Sequence, residues 1–289
     1  MSDYDVFPEQ RQSIIHQMLT ETGRVVCAEA ARKLGVSEHT IRRDLQELAR
    51  KGLCKKVYGG AVSQLKQSAS FDTRMSQNVQ EKSQLAQKCA QLIRPDSCLF
   101  IDAGSTYLAM VEFIPDDLEL TIVTNSPQIA AAACGRTKGE LILLGGKVNA
   151  LTGSTLGSEP VNQIRGMVFD QTFIGVCGLD PQAGLSAVYY EDACFKKEVL
   201  AQSNEVIAAA TEDKISQVAR YKVATCEDID IMVVIKGAKI KKFLRCQHAY
   251  RACGISRCSD SLLCCKKARL PCLLAHKFTD EISLSAQYD

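Results

Sequence analysis

No apolar run in the 289 residues approaches the ~18 needed to cross a bilayer. The first residues, Met1-Ser2-Asp3-Tyr4-Asp5, are acidic and lack the apolar stretch of a secretory leader. These absences predict a cytoplasmic chain with no membrane partner. There is no Cys-x-x-Cys pair among the 14 cysteines, which argues against a zinc ribbon or a thioredoxin-type dithiol. In a reducing compartment the cysteines stay as thiols. The eight from Cys27 to Cys226 mostly adjoin apolar residues and are expected to be small core hydrophobes. Net charge is also small, +2, but it is uneven: residues 236–289 carry +7 and the remainder −5. No cofactor, metal site or catalytic residue is expected. A composition of 46% hydrophobic and 24% charged residues is that of a globular protein, with length for one large or two ordinary domains.

What is present begins with three helical segments in the first 60 residues. Pro8 and Glu9 suit a first helical turn, the one needing no donor and the other complementing the helix dipole. Ile14, Ile15, Met18 and Leu19 then form one stripe, ended by Gly23. A second segment runs from about Ala28 to Leu34 and stops at Gly35. After the turn Gly35-Val36-Ser37, with Ser37 as N-cap, a third runs from about Glu38 to Lys51. Ile41, Leu45 and Leu48 face inward, which leaves Glu38, His39, Thr40, Arg42, Arg43 and Gln46 on the other side. Two helices joined by so short a turn form a helix-turn-helix, whose second helix enters the major groove of double-stranded DNA. The stretch Leu53–Tyr58 has strand character and ends at Gly59-Gly60, so it reads as a wing. Lys55, Lys56 and Tyr58 would then lie near the phosphate backbone. Residues 42–56 carry a local charge of +4.

Residues 61–80 are polar and read as a linker. From Glu81 to Ile93 the spacing is helical. Short apolar runs follow at 98–101, 120–123, 141–144, 172–176, 206–210 and 231–235, separated mostly by helical stretches. That alternation predicts an α/β domain over 81–235 with a mostly parallel sheet. In such sheets the ligand sits beyond the carboxyl ends of the strands. Those ends read Asp102-Ala103-Gly104-Ser105-Thr106, Thr124-Asn125-Ser126, Gly145-Gly146 and Gly175-Val176-Cys177-Gly178. Four small polar ends on one sheet edge favour a small polar or phosphorylated ligand, with hydroxyls and free helix N–H groups suited to an anion.

The Thr40-Ile41-Arg42-Arg43-Asp44-Leu45 run resembles the DeoR family of bacterial transcriptional regulators, with Val36-Ser37 before it and Gly59-Gly60-Ala61 after it. So does the order Asp-x-Gly-Ser-Thr, Thr-Asn, Gly-Gly, Phe-Ile-Gly-x-x-Gly in the second half. The resemblance covers about residues 8 to 235. It implies a winged helix-turn-helix over 1–60, with Ser37 among its DNA contacts. It also implies a sensor domain similar in fold to ribose-5-phosphate isomerase and coenzyme A transferases, with a phosphorylated sugar as effector. That places effector contacts at Asp102, Gly104, Ser105, Thr106, Thr124 and Asn125, with Gly145, Gly146, Gly175 and Gly178 beside them. Glu191 and Lys197 fall where the family has a polar helix stretch. Lys214 matches a family lysine, although Thr211 stands where the family has Asp. The expected protein is a repressor of carbohydrate genes, acting as a homo-oligomer on paired half-sites. Alternatives are an activator, or a sugar-phosphate isomerase with Asp102 or Glu191 as base.

Beyond Ile235 the resemblance stops. The tail 236–289 holds six of the 14 cysteines at irregular spacings. A soft-metal site from Cys264, Cys265, His248 or His276 lacks paired ligand spacing. A shifted reading frame near residue 236 is the preferred explanation, in which case the sensor domain would lack its closing elements and the gene product could be non-functional.

Overall fold

The computed structural model describes residues 7–65, 69–235, 250–252 and 262–267. Helix α1 (Pro8–Thr22) opens on proline and closes on Gly23, whose φ of 74° lets its N–H reach the Leu19 carbonyl. Strand β1 (Arg24–Val26) leads straight into α2 (Cys27–Leu34), which buries Cys27, Ala30, Ala31 and Leu34 along one face. Helix α3 (Glu38–Arg50) starts where Ser37 Oγ accepts from the Thr40 N–H at 3.1 Å. Its stripe of Ile41, Leu45 and Leu48 packs with Ile15 and Leu19 of α1. Strands β2 (Cys54–Val57) and β3 (Gly60–Leu65) form the wing, and β1 pairs antiparallel with the start of β3. Gly60 is required there, because a Cβ would fall 2.0 Å from the Val25 carbonyl oxygen. The expected linker therefore begins as strand: its first residues complete the wing sheet.

The linker also holds helix α4 (Phe71–Ser76), capped by Ser70, and the start of α5 (Val79–Ala90). After these come β4 (Cys98–Ile101), α6 (Ser105–Val111), β5 (Thr121–Thr124), α7 (Pro127–Ala133) and β6 (Leu141–Leu143). A hairpin of β7 (Lys147–Asn149) and β8 (Ser154–Leu156) precedes α8 (Ser158–Ile164) and β9 (Gln171–Ile174). Next are β10 (Gly178–Asp180), β11 (Gly184–Ala187), α9 (Tyr190–Ala201) and β12 (Val206–Ala210). The run closes with β13 (Gln217–Ala219), β14 (Tyr221–Ala224) and β15 (Ile231–Ile235). Six parallel strands lie in the order β6-β5-β4-β9-β12-β15, as the alternating pattern predicts. Their period of two sends neighbours to opposite faces: Phe100 joins Phe169 and Phe195 on one side, while Leu99 and Ile101 join Leu85 and Tyr107 on the other. Both faces are covered, which is why the strands read as continuous apolar runs. Among the described residues no helix is long and apolar enough to cross a membrane.

The tail supplies two strands to this sheet. β17 (Leu262–Lys267) pairs antiparallel with β15, and β16 (Tyr250–Ala252) with β17. The edge expected to lack its closing elements is thus extended by backbone pairing. The side chains of the metal-tail candidates, His248, Cys264, Cys265 and His276, lie outside the described set. The cysteine expectation needs correction: Cys27, Cys54, Cys89 and Cys226 are buried, but Cys134 and Cys194 are exposed.

Several short strands escape the hydrophobic pattern, namely β10, β11, β13 and β14 with the β7–β8 hairpin. One of them joins the two halves of the chain. β13 pairs in parallel with β3, Gln217 opposite Ser63 and Ala219 opposite Leu65. It occupies the edge of β3 beyond the residues that β1 covers. Beside this joint Arg24 of β1 lies 3.7 Å from Asp180 of β10, both side chains buried. Ser216, the residue before β13, holds φ at 60°, an uncommon conformation for a side chain other than glycine.

Candidate recognition helix and polar cleft

On α3 the residues Glu38, His39, Arg42, Arg43 and Gln46 are exposed and Thr40 is half-buried. They form the face opposite the Ile41–Leu45–Leu48 stripe. Ser37 spends its hydroxyl on the cap. Asp44, the acid inside the basic run, points the other way: it is buried and ion-paired with Arg11 at 2.5 Å. Its charge is thereby removed from the exposed face. Arg42 pairs with Glu38 at 2.9 Å, but both are exposed, so the pair contributes little and is easily exchanged for another anion. In the wing Lys56 is exposed, Lys55 half-buried, and Tyr58 stands at the turn 93% exposed.

The second feature is an open cleft at the carboxyl ends of β4, β9 and β12. Of the expected effector residues, Gly104, Ser105, Thr106, Gly175 and Lys214 line it. Four cations line it: Arg74 of α4, Lys82 of α5, Lys196 of α9 and Lys214 of the one-turn helix after β12. Arg74 also fixes the rim, donating to the Leu151 and Thr152 carbonyls at 3.1 and 3.0 Å. Burial lowers the Lys82 pKa, and the neighbouring charges of Lys214 and Arg74 lower it further, against an opposing pull from Asp213. An anion bound in the cleft would relieve this crowding of positive charge at Lys82. Thr211, standing where the family has Asp, donates to Asp213 at 2.5 Å, and Asp213 pairs with Lys214 at 2.9 Å. A carboxylate is therefore still present beside the lysine, supplied two residues later.

The other expected contacts lie elsewhere. Thr124 and Asn125 are buried braces between β5 and β4: the Thr124 hydroxyl donates to the Ile101 carbonyl at 2.6 Å, and Asn125 Oδ1 accepts from the Ala103 N–H at 3.1 Å. Gly145 and Gly146 pack against Gln163 and Pro160, away from the cleft. Gly178 lies within β10, against the Gln217 backbone. Glu191 and Lys197 are exposed on α9, while their neighbours Asp192 and Lys196 are buried at the cleft floor. The polar stretch on that helix was legible in the sequence; its phase was not. Arg74 and Lys82 were missed because they lie in or beside what reads as linker.

Beneath the cleft Lys196 is ion-paired to both Asp102 and Asp192. Asp102 Oδ2 also accepts from the Gly175 N–H at 2.8 Å, while Oδ1 and the buried Asn125 Nδ2 have no protein partner among the described residues. Burial alone would lower the Lys196 pKa, but the two carboxylates overcome it and hold the ammonium charged. Burial raises the Asp192 pKa against the pull of Lys196. A carboxyl whose folded value is raised contributes most stability in acid, and loses it as the pH climbs through that raised value. Relative to Asp192→Asn, the wild type is expected to lose thermal stability as pH rises above the usual carboxylate range. Melting curves at a series of pH values would test this, and parallel curves for the two proteins would rule it out.

Comparison with known proteins matches both halves. The DeoR-like helix-turn-helix domain family matches residues 11–67, and the DeoR C terminal sensor domain family matches residues 77–235. An uncharacterized HTH-type transcriptional regulator FruR of Bacillus subtilis is similar at 30% identity, over 78% of this chain and 90% of its own length. The glycerol-3-phosphate regulon repressor of Escherichia coli is similar at 28% identity, over 76% of this chain and 88% of its own. Among solved structures, ribose 5 phosphate isomerase A from Neisseria gonorrhoeae is similar over 70% of this chain and 82% of its own, with 13% identity and a TM-score of 0.35. The sensor-domain match alone spans more than half of the chain, and the chain belongs to the DeoR family of HTH-type transcriptional regulators.

Proposed function

We propose that this protein is a cytoplasmic repressor of carbohydrate-metabolism genes. It binds a double-stranded operator through α3 and the wing as a homo-oligomer, and leaves it when a phosphorylated sugar fills the cleft. The observation that carries the effector reading is the convergence of Arg74, Lys82 and Lys214 on a cleft with the Ser105 and Thr106 hydroxyls on its wall. Cations suit the phosphate, and the hydroxyls and nearby Asp213 suit sugar hydroxyls. The relative named for the glycerol-3-phosphate regulon supports a phosphorylated ligand. A route for coupling is present: the one-turn helix carrying Lys214 leads through Ser216 into β13, which is hydrogen-bonded to the wing strand β3. A ligand that shifts Lys214 therefore acts on the wing sheet, a linkage between two sites.

The isomerase alternative needs a carboxylate free to take a proton. Asp102 is instead buried, with its Oδ2 engaged by the Lys196 ammonium and the Gly175 N–H, and Glu191 faces solvent. Regulation without turnover is the better reading.

The test is fluorescence anisotropy on operator DNA selected with the full chain, with and without a panel of sugar phosphates. One compound should release the DNA and bind by calorimetry without being consumed. Lys214→Met should weaken that binding about tenfold or more, from ~1.5–3 kcal/mol per charged hydrogen bond. A panel with no binder, or turnover of any member, would overturn the reading.

A further inference from the structure

A second groove lies between the wing and the sensor domain. Lys55, Val57 and Tyr58 of the wing line one side; Gln182 of the β10–β11 turn and Lys222 of β14 line the other, with Val218 of β13 between. Neither Lys55 nor Lys222 has an ion-pair partner among the described residues, and no carboxylate lines the groove. Two ammonium groups facing one space repel each other unless an anion lies between them. Tyr58 is almost fully exposed at the groove's rim, so whatever the wing tip meets also meets this groove. The groove thus continues the DNA-facing side of a family that binds DNA.

We propose that the DNA-contacting surface is composite, and that the sensor domain contributes Lys222 as a contact to the DNA phosphate backbone opposite Lys55. The β3–β13 pairing makes this possible. It fixes β13 against the wing, and Lys222 follows Ala219, the last residue of that strand, by three positions. The inference rests on the DNA-binding reading of the wing but not on the identity of any sugar. A phosphate contact carries no sequence information, so its loss appears on any duplex.

The experiment measures the salt dependence of the full-length protein's affinity for a short labelled duplex of random sequence. Each neutralised phosphate adds ~0.9 to the slope of log affinity against log salt. Lys222→Gln is expected to lower the slope by about 0.9, as Lys55→Gln does, and Lys222→Arg to restore it. Lys138→Gln, an exposed lysine of the sensor domain away from the groove, should leave it unchanged. An unaltered slope in Lys222→Gln, with a reduced one in Lys55→Gln, would overturn the proposal. If Lys55→Gln and Arg42→Gln also leave the slope unaltered, the wing and α3 do not face DNA, and the composite surface falls with that reading. Thermal melts of each variant separate weakened DNA binding from a damaged fold.

Discussion

Replacing Arg42 and Arg43 together with alanine is expected to lower operator affinity at least about thirtyfold. The figure follows from ~1–3 kcal/mol for each arginine contact to a base or phosphate. Both side chains are exposed on α3, opposite the stripe that packs on α1. Within the protein the double substitution breaks the exposed Arg42–Glu38 pair, which contributes little, so the melting temperature should scarcely change. Anisotropy on operator DNA and a thermal melt together check this. A double variant that binds like the wild type would show that α3 is not the recognition helix. A base-reading arginine and a phosphate-binding one also leave different signatures. Losing the first relaxes sequence preference, whereas losing the second weakens all sequences alike and flattens the salt slope.

Lys196→Met is expected to destabilise the sensor domain by about 3–5 kcal/mol, the usual cost of leaving a buried charge without its partner. Lys196 lies between Asp102 and Asp192, both buried, and is the one cation paired with either of them among the described residues. Methionine preserves most of the volume but leaves two carboxylates facing one another. One of them must then take up a proton. The loss should therefore be largest at neutral pH and shrink in acid, where protonation relieves the repulsion. Chemical denaturation at two pH values measures it. A variant as stable as the wild type at neutral pH would mean that Asp102 and Asp192 do not depend on Lys196. The same change should disturb the cleft, because Asp102 also holds the Gly175 N–H at the end of β9.

Local chemistry was enough to locate much of this. Helix α3 follows from a capping serine and three apolar residues at helical spacing, and both are properties of neighbouring residues. The six parallel strands follow from apolar runs buried on both faces. The Asp102–Thr106 stretch could be placed at a strand end because strand and turn signals adjoin each other there. The cleft's chemistry was only partly legible. On α9 the sequence offers carboxylates at 191 and 192 and lysines at 196 and 197; Asp192 and Lys196 have the i,i+4 spacing to meet, but spacing does not say which face of the helix turns to the cleft. Only packing of the helix against the sheet selects Asp192 and Lys196. Thr124 and Asn125 carry ligand-like side chains, yet the approach of β5 to β4 uses them as braces.

What the sequence by itself determined is the kind of protein: a DNA-reading helix with its wing, and an α/β domain with polar strand ends. Hydrophobic periodicity, capping and turn residues act over a few positions, so they can be read along the chain. Tertiary structure alone decided which polar groups share a cavity and how the two halves are joined. Arg74, Lys82 and Lys214 are separated by long stretches of chain, and β13 is too short to show any period. Its pairing with β3 stitches the sensor to the wing through backbone hydrogen bonds. Backbone groups are the same at every residue, so no residue type announces that pairing.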